Sequence, residues 1–230
     1  MCCRCVQVKK LDEIVRWWGE QLEVLISLSE FKTSFNVSPG QMLPVIFSRA
    51  GHSALSLMRW GLPAGFQQKE KDHEFISYNA RIETVLQRKS FSQLMRGRRC
   101  TVLCNGYYEW KKENGKSIPY FIHSPGMSIL PLAGLWTESA DGREMCFTVI
   151  TRNARRNIAH IHDRMPLILS DEKIEKWIDS KYFPTDPEEE FSDQKNKLEF
   201  HAVSTKVNSS RYDSGDCIEK EEYPEQGQLF

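Results

Sequence analysis

Three two-residue turn signals, Asn105-Gly106, Asn114-Gly115 and Asp141-Gly142, divide the middle of the chain into short β-rich runs. Nothing else in the sequence limits the fold as strongly. Asn-Gly suits a tight hairpin because both residues tolerate the left-handed backbone conformation that such a turn needs. The runs between the turns cover residues 100–104, 107–111, 118–123, 129–136 and 145–151. Hairpins join antiparallel neighbours, and strands do not alternate regularly with helices, which argues against a doubly wound parallel sheet. The expected fold class is α+β: a single domain around antiparallel β-sheets forming a barrel-like core with peripheral helices. With 230 residues and 40% apolar composition, the chain can bury a sizeable core.

Elsewhere the pattern is less regular. Leu11, Ile14, Val15, Trp18, Leu22, Leu25 and Ile26 recur at helical spacing, which predicts an amphipathic helix over 9–30. Turn chemistry at Asn36-Val37-Ser38-Pro39-Gly40 closes that segment. Strands are expected at 44–48, 54–60 and 198–205, a helix within 82–95, and another starting at Ser170-Asp171-Glu172. Residues 67–74 and 183–197 read as polar or charged loops. The domain is expected to span 1–212, followed by an acidic, weakly ordered tail at 213–230.

Formal charge is balanced at 31 basic and 31 acidic residues. The tail holds six acids and one base, so residues 1–212 carry 30 bases against 25 acids, a surplus of five. That surplus alone does not diagnose nucleic-acid binding. Two arginine clusters, Arg96/Arg98/Arg99 and Arg152/Arg155/Arg156, are candidate phosphate contacts, with solvated surface the plainer explanation. No apolar run reaches the ~18 residues of a membrane span, and the N-terminus lacks a signal-peptide core, so a cytoplasmic protein without a membrane partner is expected.

Seven cysteines without a secretion signal argue against a disulfide framework. Cys2, Cys5, Cys100 and Cys104 supply four thiols, but Cys100 and Cys104 fall on one face of an apolar strand, where cysteine behaves as a small hydrophobe. No metal site is therefore expected. Cys2 differs from the others. Once Met1 is removed it becomes a 1,2-aminothiol, with an amine titrating near ~8 and a thiol near ~8.5. Such a group condenses with an aldehyde to an imine, and the thiolate then closes a five-membered thiazolidine.

Three further clusters carry chemistry. In His160-Ile161-His162-Asp163-Arg164, alternating histidines on an extended segment would point the same way. In Gly106-Tyr107-Tyr108-Glu109-Trp110 a carboxylate sits between aromatic residues, where desolvation raises its pKa toward that of a general acid or base. Asn79-Ala80-Arg81 places an amide and a guanidinium on one face of an extended segment.

These pieces occur together with Met1-Cys2-x-Arg4, Phe35-Asn36-Val37-Ser38-Pro39, Met58-Arg59-Trp60-Gly61-Leu62, Asn79-Ala80-Arg81-Ile82-Glu83-Thr84, Ile161-His162-Asp163-Arg164-Met165-Pro166 and Ala202-Val203-Ser204. In that order and at similar spacing, over residues 2 to about 210, the chain resembles the SOS response-associated peptidase (SRAP) family of abasic-site DNA–protein crosslinking proteins. The resemblance implies an α+β fold without metal or organic cofactor. It implies that mature Cys2 captures the ring-opened sugar aldehyde of an abasic site in single-stranded DNA. Asn79 would orient the sugar, Glu109 would handle protons at the α-amine, and His162 would act on the opened ring oxygen. Arg4, Asn36, Arg81, Thr151 and Arg164 would contact the DNA, and Trp60 would offer an aromatic surface to unstacked bases. The replication machinery is a further candidate partner, and a monomer is expected.

Two departures from the family pattern stand out. Cys3 replaces the glycine usual after the nucleophile, and the tryptophan-containing loop after Leu62 is shortened to Pro63-Ala64-Gly65-Phe66, with Phe66 replacing the aromatic wedge. The same residues would also serve a thiol peptidase or autoprotease, with Cys2 activated by His162, and the arginines and aromatics alone would suffice for non-covalent single-strand binding.

Overall fold

The computed structural model describes residues 3–63, 76–139, 141–192 and 197–223; Cys2 and Phe66 lie outside them. The Asn114-Gly115 turn joins β8 (Gly106–Glu113) to β9 (Lys116–His123), with Glu113 paired to Lys116. Both turn residues have positive φ, 49° and 75°, as a two-residue hairpin requires. Gly106 is needed for a different reason. A Cβ there would lie 2.5 Å from the Phe121 ring and 2.7 Å from the Ile122 carbonyl.

β8 and β9 belong to a five-stranded sheet in the order β13 (Glu199–Ala202), β9, β8, β1 (Cys5–Gln7), β3 (Ser34–Val37). The second sheet is larger. Its path runs β12 (Arg164–Pro166), β11 (Met145–Asn153), β10 (Leu130–Glu138), β7 (Arg99–Cys104), β4 (Met42–Arg49), β5 (His52–Trp60), β2 (Glu23–Val24). β6 (Asn79–Arg81) pairs with β11 off that path. β11 also pairs with β5, through Cys146 with Arg59 and Phe147 with Trp60, so β5, β4, β7, β10 and β11 close into a ring.

Side chains alternate across that ring as the period-two geometry of strands dictates. Val45, Val102, Leu132 and Phe147 share one apolar cluster, the barrel interior. Their neighbours Ile46, Leu103, Ala133 and Cys146 fall in a second, outer cluster. Helices α1 (Leu11–Trp18), α2 (Lys89–Met95) and α3 (Asp171–Ile178) cover the outer cluster through Ile14, Leu94 and Trp177. The antiparallel, barrel-like architecture with peripheral helices is thus present, with parallel pairings added at β5–β11, β6–β11 and β2–β5.

Several local expectations need correction. The helix over 9–30 stops at Trp18, because Gly19 takes φ 110°. Beyond it the apolar residues serve an edge strand, where Leu25 N–H donates to the Leu55 carbonyl. Within 82–95 a 3-10 turn at Ile82–Thr84 precedes α2. Residues 183–197 contain a short helix α4 (Pro187–Phe191), anchored by Phe191 against Trp177 at 4.9 Å. Residues 213–223, expected to lie in a weakly ordered tail, pack against the domain. Asp213 accepts from Phe35 N–H at 2.7 Å, Cys217 is wholly buried, and Tyr223 Oη donates to the Val203 carbonyl.

Candidate active site

Asn79, Glu109 and His162 lie on segments leaving the same end of the barrel, whereas Arg96, Arg98 and Arg99 lead into the opposite end of β7. Asn79 follows β5, Glu109 follows β7, His162 follows β11, and the β1/β3 pair precedes β4. The five-stranded sheet packs over this end, adding Cys5, Val37, Tyr107 and Ile122 to the interior cluster.

β1 brings the N-terminal segment in. Cys5 pairs with Tyr107 and Val6 with Gly106, and Tyr108 N–H donates to the Arg4 carbonyl at 3.0 Å. Continued by two residues, this antiparallel register sets Cys3 opposite Glu109. Burial pushes the Cys3 thiol up, and the Glu109 carboxylate adds to the shift. The chain next to Cys2 therefore runs directly over that carboxyl group.

Glu109 is 2% exposed. Desolvation, aided by Asp163, pushes its carboxyl up to about 7, so it exchanges a proton at neutral pH. His162 Nε2 lies 3.9 Å from Glu109 Oε2, too far for a direct hydrogen bond but close enough for both groups to reach one intervening oxygen. Burial holds the imidazole below its ordinary pKa. Arg164 N–H lies 3.0 Å from His162 Nδ1 and can donate to it in the neutral ring with its proton on Nε2, whereas the Arg164 carbonyl, 3.3 Å from the same nitrogen, suits a ring protonated at Nδ1; in either form Nε2 faces Glu109. Asp163 Oδ1 also stands 3.1 Å from Nδ1, but one nitrogen cannot accept from Arg164 and donate to Asp163 together. The amide contact belongs to the neutral ring with its proton on Nε2, and the Asp163 and Arg164 carbonyl contacts belong to any form with a proton on Nδ1.

β6 supplies Asn79, paired with Val149, and Arg81, paired with Thr151. Cross-strand partners share a face, so Asn79 lies on the side of Val149, the barrel interior. Arg81 is exposed.

The structure places other expected DNA contacts differently. Arg164 is 8% exposed and grips Glu83 with two prongs, at 2.6 and 2.9 Å, while also donating to Asn153 Oδ1 at 2.7 Å and Thr151 Oγ1 at 3.3 Å. Thr151 is wholly buried. Asn36, 1% exposed, donates to the carbonyls of Ser209 and Tyr212 and accepts from Arg4, which also donates to the Val207 carbonyl. Arg4 and Asn36 thus fasten the 207–212 segment over β1 and β3 instead of facing solvent. Trp60 is a barrel-interior residue, 1% exposed, stacked on Phe147 at 6.0 Å with Nε1 donating to the Tyr78 carbonyl. It offers bases no open face.

Of the arginine clusters, Arg99 is buried, donating to carbonyls of Met95, Trp177, Asp179 and Tyr182 at the ends of α2 and α3, and desolvation lowers its pKa to about 10. His160 lies on a turn rather than an extended segment and packs against Phe200 at 5.2 Å. Cys100 and Cys104 line the barrel interior, where burial pushes the Cys104 thiol up to about 12 and leaves it a neutral hydrophobe. Sequence reasoning gave Glu83 and Asn153 no role. For Glu83 a signal existed, an acid two residues beyond Arg81 in a recognised motif, but no sequence rule names Arg164 as its partner.

The chain is similar to known proteins in sequence and in fold. The sequence model of the SOS response associated peptidase (SRAP) family matches residues 1–210. "Abasic site processing protein HMCES" of Gallus gallus is 33% identical over 222 residues, covering 82% of this chain and 66% of that protein, just under two thirds of its length. "Abasic site processing protein YoqW" of Bacillus subtilis is 30% identical, with coverage of 95% and 99%. A crystal structure of a Bacteroides thetaiotaomicron protein superposes with a TM-score of 0.80 at 22% identity, covering 96% of this chain and 100% of that one, and shares the fold.

Proposed function

The chain belongs to the SOS response associated peptidase (SRAP) family, and from that premise we propose that it processes abasic sites in single-stranded DNA by forming a covalent thiazolidine through Cys2. The relatives' printed names supply the substrate class. The observation that carries the reading is the buried Glu109 carboxyl, titrating at about 7 beside His162 and opposite the neighbour of Cys2.

The chemistry follows from those groups. An abasic sugar opens to an aldehyde when its ring oxygen gains a proton and its anomeric hydroxyl loses one; the imidazolium form of His162 gives the first from Nε2 and water takes the second. The Cys2 α-amine, freed by removal of Met1, adds to that aldehyde, and Glu109 takes the ammonium proton. The carbinolamine hydroxyl, protonated by Glu109, leaves as water to give an imine. The thiolate then adds to the same carbon. Aldehyde plus aminothiol yields thiazolidine plus one water, and no oxidant is needed. Asn79 orients the sugar hydroxyls, and exposed Arg81 meets a phosphate. Because the imine can instead eliminate the strand, a slow lyase reaction accompanies capture. A thiol peptidase remains the alternative use of Cys2.

The test incubates the protein with abasic, uracil-containing and intact oligonucleotides, followed by denaturing gels and intact mass. A stable adduct with the abasic strand only, one water lighter than the sum of its parts and lost in Cys2→Ala, is expected. Cleavage of a peptide substrate without any adduct would favour the peptidase.

A further inference from the structure

The residues that would act on the sugar arrive on two short strands flanking β11. β6 pairs with its C-terminal half through Asn79–Val149 and Arg81–Thr151, while β12 pairs through Asn153–Arg164 and Thr151–Pro166. Three-residue strands are weak positioning devices by themselves. One side-chain contact ties these two together. Glu83, in the 3-10 turn directly after β6, reaches Arg164 of β12 in a two-pronged ion pair, and Thr151 of β11 meets the same guanidinium from below.

We infer that Glu83 is a positioning residue: by gripping Arg164 across β11 it fixes the main chain that packs against His162 Nδ1 and turns Nε2 toward Glu109. The inference rests on the thiazolidine reading only for its kinetic consequence; the geometry is a property of the free protein. The guanidinium is held at one end of Arg164 and the His162 ring at the other. The side chains of Arg164 and Glu83 are 10% and 28% exposed, so solvent screens the pair weakly. The planar fork defines direction as well as distance. Asn153 and the ladder bond from Ala154 N–H to the Asp163 carbonyl hold the segment from the β11 side. Glu83 supplies the brace from the β6 side, linking Asn79 to His162 through one ion pair. It also compensates a cation that disfavours protonation of His162, since Arg164 acts to lower the imidazole pKa.

The decisive experiment is long-range ¹H–¹⁵N NMR of the His162 ring against pH in wild type, Glu83→Gln and Glu83→Asp, alongside single-turnover crosslinking and salt-dependent binding of an intact single strand. Wild type should show a single neutral tautomer. Glu83→Gln should mix the tautomers, lower the His162 pKa, and slow capture by about 10-fold, less than the ~10²-fold expected on losing His162. Glu83→Asp, which keeps the charge, should restore much of the tautomer preference and also serves if Glu83→Gln fails to fold. An unchanged tautomer and pKa in Glu83→Gln would overturn the inference. So would tighter binding of Glu83→Gln to intact strands with a salt slope steeper by about one phosphate, which would make Arg164 a DNA ligand that Glu83 restrains. If wild type forms no adduct, the thiazolidine reading falls while the ring spectra still decide the role of Glu83.

Discussion

The two ends of the barrel are built from the same strands and treat charge in opposite ways. At one end a second sheet closes over the interior, and the ionisable groups are withdrawn from water: Glu109 beside His162, Glu83 in the grip of Arg164. At the other, the hairpin between β10 and β11 stands apart from the first half of β5. A cleft of about 750 Å³ remains, bordered by Leu57, Met145 and the contacting pair Phe47 and Trp136, whose rings are 4.8 Å apart. Ion pairs away from the roof, Arg49–Glu23 at this end and Arg59–Glu144 on the β5–β11 seam, are roughly half exposed and contribute little. The contrast shows that the barrel supplies rigidity, while chemistry depends on which end is roofed. Desolvation under a roof moves a carboxyl from its ordinary range to neutrality, which an open hairpin end does not.

The largest test of this contrast compares two arginines. Arg164→Met should cost about 3–5 kcal/mol by urea unfolding, because it strands a partly buried carboxylate, and should slow crosslinking as well. Arg59→Met should cost under about 1 kcal/mol and leave the chemistry alone. Equal costs would break the distinction between pairs under the roof and pairs away from it. Next, Trp136→Ala should destabilise by about 3 kcal/mol through loss of packing, yet crosslinking per folded molecule should match wild type, separating stability from chemistry. The smallest effect is sharpest in its pH dependence. Glu109 titrates at about 7 when folded against 4.5 ordinarily, so below pH 4.5 it is protonated in both states and folding incurs no ionisation penalty. Above that, folding must protonate or desolvate it. Glu109→Gln should therefore gain stability over wild type as pH climbs from about 4.5 to about 7, levelling at on the order of 3 kcal/mol, while slowing both formation and reversal of the adduct. A pH-independent difference in unfolding free energy would show that the carboxyl is not desolvated.

The hairpin arithmetic was legible because Asn114-Gly115 carries its conformational demand in two residues. The long strands of the ring were legible for a similar reason, their alternation extending over enough residues to register. The elements that carry the site were not. β1, β6 and β12 are three residues each, too short for a period-two pattern to show against background. The burial of Glu109 and the upward shift of its carboxyl were legible, since aromatic neighbours in sequence signal burial. Trp60 was misjudged because one tryptophan reads alike on a surface and in a barrel. Only its place in the series Ala54, Met58, Trp60 identifies it as interior. Long-range pairings such as Arg4–Asn36 and Glu83–Arg164, separated by 32 and 81 residues, leave no local trace in a single sequence.

The ring closes through only two residue pairs, Arg59 with Cys146 and Trp60 with Phe147, whereas β4 meets β5 along eight. Under mechanical load these seams are unequal. A force that shears β5 against β11 meets two rungs and one solvated ion pair, so the barrel has a built-in zip line there. The other seams of the ring hold three pairs at β4–β7, five at β10–β11, six at β7–β10 and eight at β4–β5. A chain tethered to another polymer and dragged from one terminus would yield first along that line, opening the cylinder into a sheet before the roofed end lost its grip.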